Sequence, residues 1–203
     1  MCVFNFWGRK PIYYFSKKQL INIKFILNNL DELKNILKIL SKTHNVEYNI
    51  AVPHNIIGPR QKYDDPYRNV VSIMINLMLQ KRNPIIYGDG NQKRTFSDID
   101  DCIYCLDKLL TDPSIVSKVV NIGPDEEFLS IEDLAFKIGK ILEFDVNPIY
   151  LAGRPQEVFH ANCSADLART LLGYKTTTTL DQGLGSLAKW IKEKGVRDFS
   201  YHL

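Results

Sequence analysis

Three arginines stand where an apolar run gives way to a turn. Arg60 closes Pro53-His54-Asn55-Ile56-Ile57-Gly58-Pro59-Arg60, Arg94 follows Tyr87-Gly88-Asp89-Gly90-Asn91-Gln92-Lys93, and Arg154 opens Arg154-Pro155-Gln156-Glu157 after Gly153. A guanidinium is a planar fork that meets phosphate oxygens two at a time. One arginine beside a turn says little, but three at strand-to-loop junctions point to a pocket for an anion, and a diphosphate suits such forks. The fullest of the three stretches is Tyr87 to Asp101. Its glycines at 88 and 90 permit positive φ or close backbone approach, and Lys93 and Arg94 are followed by Phe96 and the acids Asp98, Asp100 and Asp101. By itself this stretch reads equally well as a surface turn or as a ligand platform. The His54–Gln61 loop has the same two readings, a connecting loop or the ligand-facing loop that α/β folds place at strand carboxyl ends.

The other pattern with chemistry in it is Cys102-x-x-Cys105. Zinc or redox use would require a second pair or a strand-helix setting. The pair instead falls inside Ile99 to Leu110, whose apolar residues recur at helical spacing, so it is expected to pack, and no metal site is expected. The four cysteines show no disulfide-framework spacing, which favours a reducing compartment. With 203 residues, 45% hydrophobic and 24% charged, the chain has the composition of a globular protein. A net charge of +3 is too small and dispersed to argue for nucleic acid. No apolar segment approaches the roughly 18 residues of a membrane span, and the basic residues Arg9 and Lys10 follow the apolar N-terminus rather than precede it, unlike a signal peptide. A cytoplasmic protein without membrane or nucleic-acid partners is expected.

The elements that must position these residues alternate between strand and helix. From Lys17 to Lys42 the apolar residues fall at three- and four-residue steps, as one helix or, with Asn28-Asn29 as a break and Asp31 as a cap, as two. Glu47 to Pro53 reads as a strand. A helix opening at Asp64-Asp65-Pro66 buries Val70, Ile73, Met74, Leu77 and Met78. Further strands are expected at Pro84–Tyr87, Lys118–Ile122 and Pro148–Leu151. Helices are expected at Ile99–Leu110, from the Ser130 capping box to Leu142, from Asp166 to a stop at Gly173, and from the Thr179 cap to Lys194.

In this order the motifs resemble those of the NAD-dependent epimerase/dehydratase family, the extended short-chain dehydrogenase/reductases that act on nucleotide sugars, such as UDP-glucose 4-epimerases. The resemblance runs from about residue 45 to 195. It is carried by Pro53-His54-Asn55-Ile56-Ile57-Gly58-Pro59-Arg60, Tyr87 to Phe96, Asp100-Asp101, Asn121-Ile122-Gly123, Gly153-Arg154-Pro155-Gln156-Glu157 and Leu171-Leu172-Gly173-Tyr174. It implies an α/β fold, the C-terminal part of the Rossmann-like architecture, and an NAD-dependent oxidation and return reduction at the ring of a sugar nucleotide, UDP-sugar first among them. By the same resemblance Asn55 lies near the diphosphate, Arg94 at the nucleotide end, Arg154 on the diphosphate, and His54 beside the cofactor. Tyr13-Tyr14-Phe15-Ser16-Lys17 resembles the family's catalytic Tyr-x-x-x-Lys, with Tyr13 as base and Lys17 one helical turn on. Tyr14 and Lys18 share that spacing with weaker flanks.

The chain departs from the family in having no Gly-x-x-Gly-x-x-Gly turn for the cofactor pyrophosphate, and residues 1–45 are too few for the several βα units that would carry one. The expected division is therefore an atypical segment, 1–45, with the catalytic-motif remnant, and a nucleotide-sugar-binding part, 46–203. That pattern is expected of a truncated or split enzyme with little independent hold on NAD. The alternative is a non-catalytic sugar-nucleotide-binding or dimerisation module, working as a homodimer or paired with an intact homologue.

Overall fold

A computed structural model describes residues 2–4, 12–14, 30–65, 69–155 and 158–198, with the backbone alone given for 2–4, 12–14, 30, 31 and 33. In chain order the elements are β1 (Cys2–Phe4), β2 (Ile12–Tyr14), α1 (Leu30–His44), β3 (Asn49–Pro53), β4 (Ile56–Ile57), α2 (Val70–Leu79), β5 (Ile85–Tyr87), β6 (Lys93–Arg94), β7 (Ser97–Asp98), α3 (Ile99–Thr111), β8 (Lys118–Ile122), β9 (Leu129–Ser130), α4 (Ile131–Leu142), β10 (Ile149–Leu151), β11 (His160–Ala161), α5 (Asp166–Leu172) and α6 (Leu180–Lys194).

The main sheet has the order β2-β1-β3-β8. β1 and β8 both run parallel to β3, while β2 runs antiparallel to β1. β1 thus joins the N-terminal segment to the same sheet as β3. Three small ladders stand apart from it, β5 with β10, β6 between β9 and β11, and β4 with β7. Two apolar clusters follow from this layout. One sheathes α2, α4 and α6 around Met74, Ile75, Leu134, Ile138, Leu187 and Ile191. The other fills the space between the main sheet, α3 and α5 with Ala51, Cys102, Cys105, Val120, Ile122 and Leu172. The Cys102 and Cys105 thiols are free and wholly buried, and burial pushes both up to about 12. They are packing groups, as their helical spacing implies.

The helix ends follow their caps. Ser130 accepts from the Asp133 N–H at the start of α4, Thr179 and Gln182 close a capping box on α6, and Gly173 takes φ 68° after α5. The helix expected from Asp64 begins instead at Val70, because the Asn69 side chain accepts from the Val71 N–H and fixes the start there. Of the periodic stretch Lys17–Lys42, α1 covers the part from Leu30; residues 15–29 lie outside those described.

The loop after β8 is tied to α5 by charge. Arg169 donates to both oxygens of Asp125, to Glu126 at 2.6 Å and to Asp166 at 3.3 Å, and the Ala165 N–H adds a bond to Asp125 at 2.9 Å. The Arg169 side-chain bond holds the Asp125 carboxyl down at about 2 against an ordinary 3.8. A depressed carboxylate contributes stability that is present above the ordinary value and lost as pH falls through the folded one. Stability should therefore drop as pH is lowered from 3.8 to about 2. Arg169→Gln should flatten that part of an acid titration followed by urea unfolding; an unchanged acid limb would mean the pairing contributes nothing.

Candidate functional site

The candidate site is built where β3, β5, β6 and β10 reach their ends. β3 leaves the main sheet at Pro53, and the His54 N–H continues its ladder to the Ile122 carbonyl at 2.9 Å. Asn55 then takes φ 38°, a left-handed conformation that Asn tolerates better than most residues. Ser97 stitches this bend in place: its N–H donates to the Asn55 carbonyl at 3.3 Å and its hydroxyl to the His54 carbonyl at 2.8 Å. The Asn55 amide donates to the Thr95 carbonyl at 2.8 Å, which sets it beside Arg94.

Arg94 is 9% exposed. Its Nη1 donates to the carbonyls of Lys93 at 2.7 Å and Phe159 at 3.1 Å, and its Nη2 to the carbonyl of Val158. Gln92 links this corner to the next, its amide donating to the Tyr87 carbonyl at 2.8 Å. Tyr87 closes β5, Leu151 pairs with it from β10, and the Gly88 N–H adds a bond to the Leu151 carbonyl at 2.9 Å. Beyond the end of that parallel pair Arg154 lies over the Tyr87 ring, its guanidinium carbon 3.9 Å from the centroid, a cation–π contact. Gly88 and Gly153 face one another there, and the turn that Gly88 opens is braced by an Asx bond from the Asn91 N–H to Asp89 at 3.0 Å. The turn also caps α4, whose Ile131 and Glu132 N–H groups each donate at 3.1 Å to the carbonyls of Gln92 and Gly90.

His54 sits at the far corner. Burial lowers its pKa below 6.5, against a raising bond to Asn121, so the ring is neutral at pH 7; its Nε2 is buried and has no hydrogen-bond partner among the described residues. Gly123 keeps room for it, since a Cβ there would lie 2.8 Å from the Ser97 hydroxyl and 3.1 Å from the His54 Cβ. The Thr95 hydroxyl, between the Asn55 and Arg94 corners, is likewise buried without a partner among those residues.

The structure thus joins Asn55 to Arg94 through Thr95, and Arg94 to Arg154 through Gln92 and Tyr87. Arg60 is exposed with φ 72°, and no contact described here ties it to the other two arginines. Tyr13 lies in the strand β2. Lys17 lies outside the described residues. Sequence reasoning passed over Tyr87 as the platform for Arg154 and Gln92 as the link; an aromatic closing an apolar run just before Gly88 was the available signal.

The family model described as NAD dependent epimerase/dehydratase family matches residues 32–123. A putative UDP-glucose 4-epimerase of Methanocaldococcus jannaschii is 32% identical over 158 residues, 77% of this chain and 49% of that protein. The chain belongs to the NAD-dependent epimerase/dehydratase family. Among solved structures of the family, the UDP-glucuronic acid 4-epimerase of Bacillus cereus, in complex with UDP-glucuronic acid and NAD, is 30% identical with a TM-score of 0.72, covering 80% of this chain and 50% of that one. The UDP-glucose 4-epimerase of Thermotoga maritima, with UDP-glucose, shares the fold at TM-score 0.74 and 23% identity, over 81% of this chain and 52% of that one. This epimerase/dehydratase chain spans about half the length of the curated relatives it matches, and corresponds to the C-terminal portion of their α/β fold. Among the described residues no helix is long and apolar enough to cross a membrane.

Proposed function

We propose that residues 46–203 form the nucleotide-sugar-binding part of an NAD-dependent epimerase/dehydratase that acts on a UDP-sugar by oxidation and return reduction at the sugar ring. The observation that carries this reading is Arg154, exposed and with its guanidinium carbon 3.9 Å above the centre of the Tyr87 ring, where the parallel pair β5 and β10 ends. A guanidinium held over a ring can offer its N–H edge to a diphosphate, with little rotamer freedom left to lose on binding. Asn55 and Arg94 form the wall beside it. The choice of UDP rests on relatives that bind UDP-glucuronic acid and UDP-glucose.

NAD enters as the family's cofactor, the group that would take and return the hydride. The 203 residues contain no Gly-x-x-Gly-x-x-Gly turn for its pyrophosphate, so this chain's own share in holding it is the His54 corner, where the neutral ring offers the unpartnered Nε2. Tyr13 and Lys17 are the residues we assign to the catalytic pair. The placement of Tyr13 in a strand favours a second reading, binding without turnover, in a module that pairs with a second copy or with an intact homologue; the exposed Ile39 of α1 offers apolar surface for that.

UDP-glucose and UDP-glucuronic acid should raise the melting temperature, since a ligand held only by the folded state stabilises it, by about 2.7 kcal/mol at a hundredfold excess over Kd, whereas NAD alone should leave it unmoved. No shift with any UDP-sugar of a panel would overturn the assignment.

A further inference from the structure

α2 is apolar along almost its whole length, yet two polar residues inside it, Ser72 and Asn76, are wholly buried. A buried hydroxyl or amide is costly unless it is bonded, and both reach partners outside the helix. The Ser72 hydroxyl is 3.0 Å from the Lys62 carbonyl, and the Asn76 amide donates to the Tyr63 carbonyl at 3.2 Å. Asn76 also holds the chain that follows α6. Its amide donates to the Arg197 carbonyl at 2.8 Å and its oxygen accepts the Arg197 N–H at 3.0 Å, so one side chain meets both backbone groups of Arg197 as a neighbouring strand would. Residues 195–198 are otherwise exposed. They lie against the run 61–64: the Tyr63 hydroxyl donates to the Gly195 carbonyl at 2.8 Å, and the Arg197 guanidinium donates to Asp64 at 3.2 Å.

That run leads back to the candidate site. The Gln61 and Asn69 amides each donate at 3.0 Å to the carbonyl of Ile56, the residue after the Asn55 bend. We infer that Asn76 is a positioning residue and that residues 195–198 are the strap it latches: together they hold 61–64 on α2 and thereby set the loop that carries Asn55. The binding half of this inference rests on the sugar-nucleotide reading above; the latch itself does not. An exposed ion pair contributes little, so the backbone pairing with Asn76, and not the Arg197 charge, is what holds the strap.

The test compares wild type, Arg197→Pro, which removes the N–H that Asn76 accepts, and Arg197→Ala, which keeps it, as full chains with UDP as probe. Arg197→Pro should speed hydrogen exchange of the Gln61 amide, which donates to the Gly58 carbonyl, and should lose UDP affinity by about fivefold, an ordinary coupling for a residue remote from the ligand. Arg197→Ala should stay near the wild type in both. A strap and a ligand that favour the same loop favour each other by the same factor, so saturating UDP should slow exchange of the wild-type Arg197 amide by the factor that Arg197→Pro loses in affinity. The Ser114 amide, bonded to Asp112 in the turn after α3, should not respond. Purely structural packing of the strap would give no such equality. The inference is overturned if UDP leaves the Arg197 amide unchanged, if Arg197→Pro binds UDP as the wild type does, or if Arg197→Ala loses as much as Arg197→Pro. Should wild type bind no UDP, the sugar-nucleotide reading falls, and an unchanged Gln61 exchange rate in Arg197→Pro would still overturn the latch.

Discussion

Arg154→Ala is expected to weaken UDP-sugar binding by one to two orders of magnitude, about 2 kcal/mol, while leaving the unliganded melting temperature within a degree or so. The size follows from the chemistry lost, a charge-assisted contact of a guanidinium fork to phosphate oxygens. The neutrality of the fold follows from the position of Arg154, which is exposed and rests on the Tyr87 ring without joining either apolar cluster. Arg154→Lys should fall between, keeping the charge and giving up the guanidinium fork over Tyr87. Calorimetric titration with UDP-glucuronic acid measures this directly, and an Arg154→Ala affinity equal to the wild type would move the anion site elsewhere.

The second large effect is on stability. Asp101, in the first turn of α3 and 4% exposed, accepts from the Thr177 N–H at 3.1 Å, from the Thr177 hydroxyl, and from the Thr178 N–H at 3.4 Å. One carboxylate thus satisfies the backbone just ahead of α6 and ties it to α3. Asp101→Ala removes this acceptor from the exposed Thr177 and the half-buried Thr178, whose donors then fall back on water, so about 2 kcal/mol of unfolding free energy should be lost. Asp101→Asn keeps one acceptor oxygen but turns an amide toward donors, and should lose nearly as much. Urea unfolding at neutral pH checks both; a loss under about 0.5 kcal/mol, ordinary for a surface change, would show that the contact carries no weight. Asp101 belongs to the Asp100-Asp101 motif of the family, and this structure gives it a part in holding helices together.

What could be read from the sequence depended on how local its cause was. α4, α5 and α6 have long or well-capped patterns, with Ser130, Gly173 and Thr179 acting within a turn of the residues they cap, and β8 occupies the expected Lys118–Ile122. The two-residue strands β4, β6, β7, β9 and β11 have no period of their own; they exist because distant backbones meet, as Lys93 meets His160. The start of α2 was misplaced because a proline at 66 is compatible with a first turn, whereas the Asn69 cap decides it. The same distinction holds in the site. Arg94 and Arg154 could be named from residue type and their place beside turns. The carbonyls that engage Arg94 lie 64 and 65 residues further on, and no local pattern marks them.

The three buried thiols among the described residues also make the chain its own clock. Alkylating and disulfide reagents attack the thiolate, and burial pushes Cys102 and Cys105 up to about 12 and Cys163 to about 11. In the closed molecule at neutral pH these sulfurs are chemically silent. Cys102 and Cys105 become reactive when the wall between α3, α5 and the main sheet opens, and Cys163 when the contact at Gly123 opens, so the rate at which each is labelled times an opening event at a known place. Cys163, with its sulfur 3.8 Å from the Gly123 carbonyl, reports from beside the His54 corner, and Cys102 and Cys105 from the helix that Asp101 anchors. Peptide mapping of labelled chains would then separate an opening confined to the ligand side from one that spreads through α3, with no dye or tag added.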